Sequence, residues 1–467
     1  MMRTILALLL AASLLHSSGR AAEPAKDPVD EDSLFTKETT VTPAGKVTDD
    51  TLAAKAEQQS LALGGFINAR YGYLMDRDWL LDDGGSFDDN SLFPRVQGYF
   101  TLDARLLRGM KGFAAVSLNY YPNGTTVEHA YTDPAAVPPV KKTYTEEVTT
   151  TYRVDELFVD FNLGRVVYFR AGKQVLKWGV GTLWSPTDLI NVDKKNILDS
   201  SQVREGASGL KMHIPFGTRA NIYSFVKTNN ADNLDGLALA NKFELLLGKT
   251  EVSLSALLNG AAVPVYGCDF TSRVFTIDIH GEASASYGDP APKMRNVSFT
   301  VLVPPAVPSP TMVATPDEYR RRGEWVYRAS AGLGRGFDVL DVHERVRLDA
   351  EFFYNGSGYR DRMFNRGQAA SAYFAQEGYY EPNYYGVYYA GLFCTVSQVF
   401  TQDLSLALNY IANLTDGSSV VSGMLSYTLT YNFTLGLMVN GFLGKGNREY
   451  TAQGNAMTVE CSARVVF

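Results

Sequence analysis

The chain has 467 residues, with 43 Lys and Arg against 50 Asp and Glu, a formal net charge of -7. That balance excludes a general nucleic-acid binder, which needs a basic surface. Only 20% of residues are charged, while 27 Tyr, 25 Phe and 41 Gly stand out, and past the N-terminus no run reaches the ~18–20 apolar residues of a spanning helix.

Residues 1–22 are expected to be a signal peptide, with Arg3 as the positive region, Ile5–Leu15 as the apolar core, and Gly19 and Ala21 as small residues near the cleavage point. The alternative, a membrane anchor, is disfavoured by the short core and the lack of a stop-transfer flank. Residues 23–60 are polar, contain Pro and Thr, and read as a flexible periplasmic extension; Asp49–Ser60 alternatively forms a short capped helix. Cys268, Cys394 and Cys461 are far apart and odd in number, giving neither a disulfide framework nor a zinc spacing. No cofactor or metal is expected.

Residues 61–467 follow a period of two. Val96–Leu106 places Val96, Phe100, Leu102 and Leu106 on one face and Gln97, Tyr99, Asp103 and Arg105 on the other. Phe275–Tyr287 sets Ile277, Ile279 and Tyr287 against Asp278, His280, Glu282 and Ser284, and Val421–Tyr431 and Met457–Phe467 alternate in the same way. These runs are about 9–13 residues long, matching the ~9–11 of a tilted bilayer-crossing strand rather than the ~5–6 of a soluble one.

The fold class is therefore all-β, a closed antiparallel transmembrane β-barrel of about 18 strands, with 16 as the alternative. Strand starts fall near Leu61, Val96, Phe113, Thr150, Val166, Gly206, Arg219, Leu237, Glu251, Ser272, Arg295, Glu324, Arg345, Tyr385, Asp403, Ser419, Thr434 and Ala456. Short turns such as Leu163–Arg165 and Pro215–Thr218 are assigned to the periplasmic end. Long connections at Asp76–Arg95, Pro122–Val148, Lys177–Glu205, Pro304–Arg322 and Asn355–Tyr384 are assigned to the outside. Tyr71, Tyr73, Tyr120, Tyr287, Tyr410 and Tyr431 fit interfacial girdles. A soluble propeller or sandwich is the rival fold, and strand length and the leader oppose it.

The stretch Tyr168–Asn191, "YFRAGKQVLKWGVGTLWSPTDLIN", contains Gly-Lys and Gly-x-Gly. A phosphate loop needs G-x-x-x-x-G-K-[ST]; here Val167 stands for the first Gly and Gln174 follows Lys173. Gly179-Val180-Gly181 has Trp184 where a dinucleotide fingerprint has its third Gly.

The last strand, ending in Phe467, resembles the assembly signal of Gram-negative outer-membrane barrels. Within Arg153–Asn191, the elements Glu156-Leu157, Arg170-x-Gly172-Lys173-Gln174, Trp178-Gly179 and Pro186-x-Asp188-x-x-Asn191 resemble a pattern of porin-like outer-membrane proteins, including alginate-export-type and uncharacterised channel barrels. The detailed match covers about forty residues. The resemblance implies an outer-membrane channel of a Gram-negative-type bacterium, in contact with membrane lipid and passing small polar solutes, as a trimer or a monomer.

Alternation places Arg70, Asp103, Arg105, Glu156, Arg170, Gln174, Asp278, His280, Arg347 and Asp349 on pore-lining positions, with further carboxylates such as Asp160, Glu282, Glu351 and Glu460. Both signs are present, so strong ion selectivity is not expected. Lys173 would fall on the lipid side, which places it near the rim or requires a bulge. The segment 177–205, with Trp178, Trp184, Asp188, Asp193, Lys194 and Lys195, is the candidate inward-folded constriction, against an ordinary outer loop. Asp278-x-His280 permits a protease-like barrel hydrolase, which would need a second carboxylate opposite; but both residues are expected well inside their strand whereas such sites lie near the outer rim, and Ser284 is four residues from His280, too far for a lipase-like pair. The Tyr-rich Gly356–Tyr385 permits an adhesive barrel. The chain is not expected to be an enzyme.

Overall fold

The structure, a computed structural model, describes residues 60–76, 92–106, 109–133, 140–176, 178–191, 194, 199, 202–229, 236–259, 263–302, 311–361, 379–446, 448–451 and 455–467. The expected signal peptide, almost all of the extension, Lys177, Asp193 and Lys195 lie outside the described residues.

The strands in chain order are β1 (Ser60–Asp76), β2 (Leu92–Arg105), β3 (Lys111–Asp133), β4 (Val140–Leu163), β5 (Val167–Gln174), β6 (Ala207–Phe216), β7 (Ala220–Lys227), β8 (Ala238–Leu247), β9 (Thr250–Asn259) and β10 (Val265–Val274). They continue as β11 (Ile277–Tyr287), β12 (Lys293–Leu302), β13 (Thr311–Tyr319), β14 (Trp325–Val339), β15 (Val342–Asn355), β16 (Tyr388–Val396), β17 (Leu404–Asn413), β18 (Ser418–Thr430), β19 (Phe433–Leu443) and β20 (Asn455–Val466). Eighteen of them form one antiparallel sheet in which each strand bonds to its sequence neighbours, β11 to β14, and β20 back to β1. The seam runs in register from Phe66↔Val466 to Met75↔Met457. Closure leaves no strand edge, so backbone donors and acceptors pair without water.

The strand number agrees with the sequence reading, but two assignments differ. The sequence reading counted a barrel strand at Arg295 and none at Val265–Val274. In the structure Lys293–Leu302 pairs only with β13, as a separate hairpin between β11 and β14, while Val265–Val274 is β10, paired on both sides. The errors cancelled in the count. Alternation marks a strand but not the sheet it joins. Pro122–Val148 is likewise not an irregular connection, because β3 and β4 stay paired as far as Asp133↔Val140.

The outer face carries Leu61, Leu63, Phe100, Leu118, Leu157, Leu254, Phe270, Leu333, Phe352, Leu392 and Leu437, all exposed. Asn68, Gln97, Ser117, Glu282, Ser284, Ser422 and Asn440 alternate with them and are buried on the inner face. Tyr287 and Tyr431 are exposed at the ends of β11 and β18, where amphipathic rings suit a membrane interface, while Tyr71 is exposed within β1. At one end the connections are tight. Gly164 and Arg165 take φ of 63° and 58°, the left-handed pair of a type I′ turn, whose twist matches that of the strands it joins.

Strict alternation cannot put Arg153, Glu156 and Asp160 all inside, yet the structure does so with one extra residue. The β3–β4 register shifts between Ala115 and Val116, which face Glu156 and Val154, so Asp155 has no partner. Tyr152, Val154, Leu157, Val159 and Phe161 are exposed, while Asp155 and Phe158 are buried. This β-bulge turns two successive carboxylates inward. Asp155 accepts from Ser117 Oγ, and from Arg153 Nε at 2.6 Å.

An unheated sample in mild detergent is expected to migrate differently from a boiled one on a denaturing gel. Equal mobility would be incompatible with the closed β1–β20 seam.

Candidate functional site: a loop held inside the barrel

The connection from β5 to β6 enters the barrel. Its root packs as Leu176, Trp178 and Ile190 against Ala207, Phe225 and Ala240 of β6, β7 and β8. Its far end, Leu183 and Trp184, is buried against Phe353, Tyr389, Phe393, Ile411 and Val420, with Tyr450. Trp184 stacks on Phe353 at 5.7 Å between ring centres. Phe353 lies on β15, eight positions from β5 around the eighteen-stranded ring (β6, β7, β8, β9, β10, β11, β14, β15). A segment that joins such distant wall strands must span the interior.

Backbone amides carried into a barrel need partners, or each costs on the order of 1–3 kcal/mol. Two wall carboxylates supply them. Glu282 of β11 accepts from the amides of Val180 and Gly181 through Oε1, and from the Thr187 amide (3.1 Å) and hydroxyl (2.6 Å) through Oε2. Glu351 of β15 accepts from the Leu183 amide at 2.9 Å and the Trp184 amide at 3.1 Å. The Trp184 indole donates to Asn383 O at 2.9 Å, and Ser330 Oγ to Trp184 O at 3.1 Å.

The glycines of "WGVG" permit this grip. Gly179 has φ 87°, and a Cβ there would lie 2.9 Å from Glu282 Oε2. A Cβ on Gly181 would stand 2.0 Å from Trp184 O.

Asp188 and Lys194 of the segment are engaged within it. Asp188 is buried; it accepts from Asn191 Nδ2 at 2.6 Å and Arg204 at 2.8 Å. Lys194 Nζ donates to Asp188 O at 2.8 Å, and Lys227 of β7 to Ile190 O at 2.9 Å. Asn191 brackets Leu176, accepting from its amide at 3.0 Å and donating to its carbonyl. The sequence pointed to a mixed-charge constriction; the described part is an apolar insert in which Asp188 and Lys194 are engaged within the segment, while Asp199 and Glu205 pair with wall cations.

The inner-wall residues are largely paired. Arg70 Nε reaches Glu460 at 2.7 Å and Nη1 reaches Asp199 at 2.9 Å. Arg170 makes a two-point contact with Asp160, at 2.7 and 3.0 Å, over the Phe158 ring. Lys111 meets Asp103 at 2.9 Å. Arg105, the last residue of β2, is exposed at the short-turn rim. Glu156 caps the root of the loop, accepting from the Val175 amide at 2.9 Å. Gln174 is wholly buried at that root and donates to Arg170 O at 3.3 Å, so it does not face open space. Lys173 sits at the end of β5, 2.5 Å from Glu205; the register of β5 is unbroken, so this pair accommodates it at the rim.

Asp278, expected well inside its strand, is the second residue of β11 and lies at the short-turn rim. Arg273 at 2.5 Å and Arg347 at 3.2 Å hold it, and Arg347 also contacts Asp349 at 2.8 Å. His280 is half-buried, with Gly332 of β14 directly beneath its ring.

Alternation marked Glu282 and Glu351 as inward carboxylates but not their partners, which lie about a hundred or more residues away. Tyr384, Asn383 and Glu449 had no sequence signal beyond polarity.

A chamber of about 530 Å³ remains beside the insert, lined by Arg95, Gln97, Asn119, Tyr121, Arg153 and Asp199. Arg95 donates to Asn119 Oδ1 at 2.8 Å and lies over the Tyr121 ring.

Fold and site together define an eighteen-stranded antiparallel β-barrel with a loop pinned inside it. No family profile matches the chain, and no curated protein does. Among solved structures, a triple mutant of the Rhodopseudomonas blastica porin has 9% identity and TM-score 0.41, covering 87% of this chain and 100% of that one. Acinetobacter baumannii OccAB1 has 10% identity and TM-score 0.49, covering 87% and 96%.

Substituting Glu282→Ala leaves four donors of the insert without their acceptor. Hydrogen bonds to a charged group are worth roughly 1.5–3 kcal/mol, so amide exchange at Val180, Gly181 and Thr187 should accelerate about 10–100-fold. Unchanged exchange, read by mass spectrometry, would mean that the carboxylate does not hold the loop.

A second expectation concerns pH. Glu449, between β19 and β20, accepts from Tyr389 Oη and Asn413 Nδ2, both at 2.7 Å, and from the Asn383 amide at 2.9 Å. Burial pushes its carboxyl up to about 7, against the pull of these donors. A folded-state pKa above the unfolded one gives stability that is complete below the ordinary carboxyl range and is lost as pH rises through about 7. Thermal unfolding should therefore show declining stability from about pH 5 to 8, with a shallower decline in Glu449→Gln. Parallel slopes would assign the effect to other groups.

Proposed function

We propose that this chain is an outer-membrane channel of a diderm bacterium, passing small polar solutes by passive, weakly selective diffusion, with the segment 177–205 narrowing the passage. The observation that carries the reading is the polar chamber of about 530 Å³ left between β2–β4 and the end of the inserted segment. A solid barrel would have closed that space with apolar side chains, whereas eighteen strands enclose a lumen wider than side chains alone fill.

The charges support weak selectivity. Around the chamber Arg70, Arg95 and Arg153 face Asp199, Glu460, Asp155 and Glu205, whereas rings of one sign are what select ions. The exposed apolar outer face supports a lipid setting. A hydrolytic reading is weaker, because Asp278 is engaged by two guanidinium groups rather than placed to activate water.

Purified protein in a planar bilayer is expected to give stepwise conductance with a cation-to-anion preference near unity. The double variant Glu282→Ala/Glu351→Ala should give larger steps, because the insert is released. Silent bilayers would overturn the channel reading. Equal steps in wild type and variant would remove the insert from the conducting path.

A further inference from the structure

The β12–β13 hairpin is absent from the barrel wall, yet its base is built with care. Asp289 holds Arg321 through three contacts of 2.6–2.9 Å, including the Arg321 amide. Arg321 also donates to Gly356 O at 2.8 Å, and the Met294 amide to Tyr359 Oη at 3.0 Å. The hairpin is thus fastened to the start of the connection between β15 and β16. Between them lies a cavity of about 440 Å³, lined by Lys293, Arg295, Tyr319, Arg321, Tyr359 and Arg360 among others.

Charge is unbalanced there. Asp289 neutralises Arg321, and among the described lining residues Asp361 is the carboxylate set against Lys293, Arg295 and Arg360. Lys293 is buried, only 7% exposed. Its ammonium has three donors and makes one hydrogen bond, to Gly358 O at 3.1 Å. Otherwise it faces the rings of Tyr359 at 4.5 Å and Tyr319 at 5.8 Å. Arg295 lies over the other half of the same wall, 4.7 Å from the Tyr319 ring centre. A buried cation is costly unless paired, and ring faces compensate it only in part. An anion in the cavity would complete the pairing.

We propose that this cavity is an oxyanion-binding site at the long-connection rim of the barrel, in which Lys293 and Arg295 hold the phosphate or carboxylate of a small solute or of a lipid headgroup. The site is distinct from the inserted loop and does not depend on conduction. Lys293 also sets a pH limit. Burial first, and then Arg321 and Arg328, lower its pKa to about 8 against the opposing Asp289 and Asp361. Tyr319 is shifted upward by burial and stays neutral in that range. Binding should therefore fade as Lys293 loses its proton.

The test is calorimetric titration of the full chain in neutral detergent with inorganic phosphate, glucuronate and glucose, alongside native mass spectrometry with lipid A and its dephosphorylated form. Phosphate or glucuronate binding without glucose binding would support a solute site. Lipid A binding that is lost on dephosphorylation would support a headgroup site. In either case Lys293→Gln should weaken binding about tenfold or more, the worth of one charge-assisted hydrogen bond. Arg295→Gln, on an exposed side chain that the fold does not need, should weaken it as well. Wild-type binding should decline between about pH 7 and 9, and Lys293→Gln should lack that decline. No anion-dependent binding by either route, or wild-type affinity in both variants, would overturn the proposal. Conductance with no anion binding overturns this site and leaves the channel; anion binding with silent bilayers does the reverse.

Discussion

Two carboxylates on nearby wall strands, Glu282 of β11 and Glu351 of β15 with only β14 between them, hold the main chain of the inserted loop. The constraint behind them is general: a main chain inside a barrel carries donors that the sheet cannot serve, because closure has used every wall donor and acceptor on wall partners. Only side chains or water remain. A carboxylate offers two oxygens with several lone pairs, so one side chain satisfies several amides of a tight turn. Once Val180–Thr187 is fixed in this way, Trp184 has a defined place, and Phe353, Phe393 and Ile411 become core residues. Without the loop these three would be apolar side chains facing a wet lumen.

The same constraint explains what was legible in the sequence. Strand length and alternation follow from the bilayer and from the two-residue repeat of extended chain, so the barrel was readable from runs such as Val96–Leu106 and Phe275–Tyr287, and its strand number from counting such runs along the chain. Membership of the sheet was not readable. Lys293–Leu302 alternates as convincingly as β10 does, and only pairing partners distant in sequence decide that the first is a hairpin and the second a wall strand. Inward carboxylates were visible as a class. Their targets were not, because a backbone amide has no residue type to read. The glycines of "WGVG" suggested a phosphate cradle for the same reason: glycine reports that something comes close, and here that something is Glu282 and the carbonyl of Trp184.

Charge on the inner wall is arranged by neighbourhood rather than by zone. Arg170 with Asp160, Lys111 with Asp103, and Lys242 with Glu244 each join residues on adjacent or the same strands. Such pairs stiffen the wall and cancel much of its field, leaving the passage polar without a strong sign. The rim pocket at Lys293 differs because its cations outnumber their partners. Polarity inside and unbalanced charge at one mouth are separable features of this molecule.

The unpaired Asp155 acts as a phase shift within β4. Above it the strand keeps time with the chamber, where Arg153 contributes; below it the same strand keeps time with the root of the loop, where Glu156 receives the Val175 amide. One added residue lets a single strand serve two compartments whose spacing is not a multiple of the strand repeat. The extra residue is therefore separable from the phase of its neighbours: deleting Asp155 would restore strict alternation, with Arg153, Glu156 and Asp160 still inward and Phe161 still outward, and would remove only the carboxylate that Ser117 and Arg153 share.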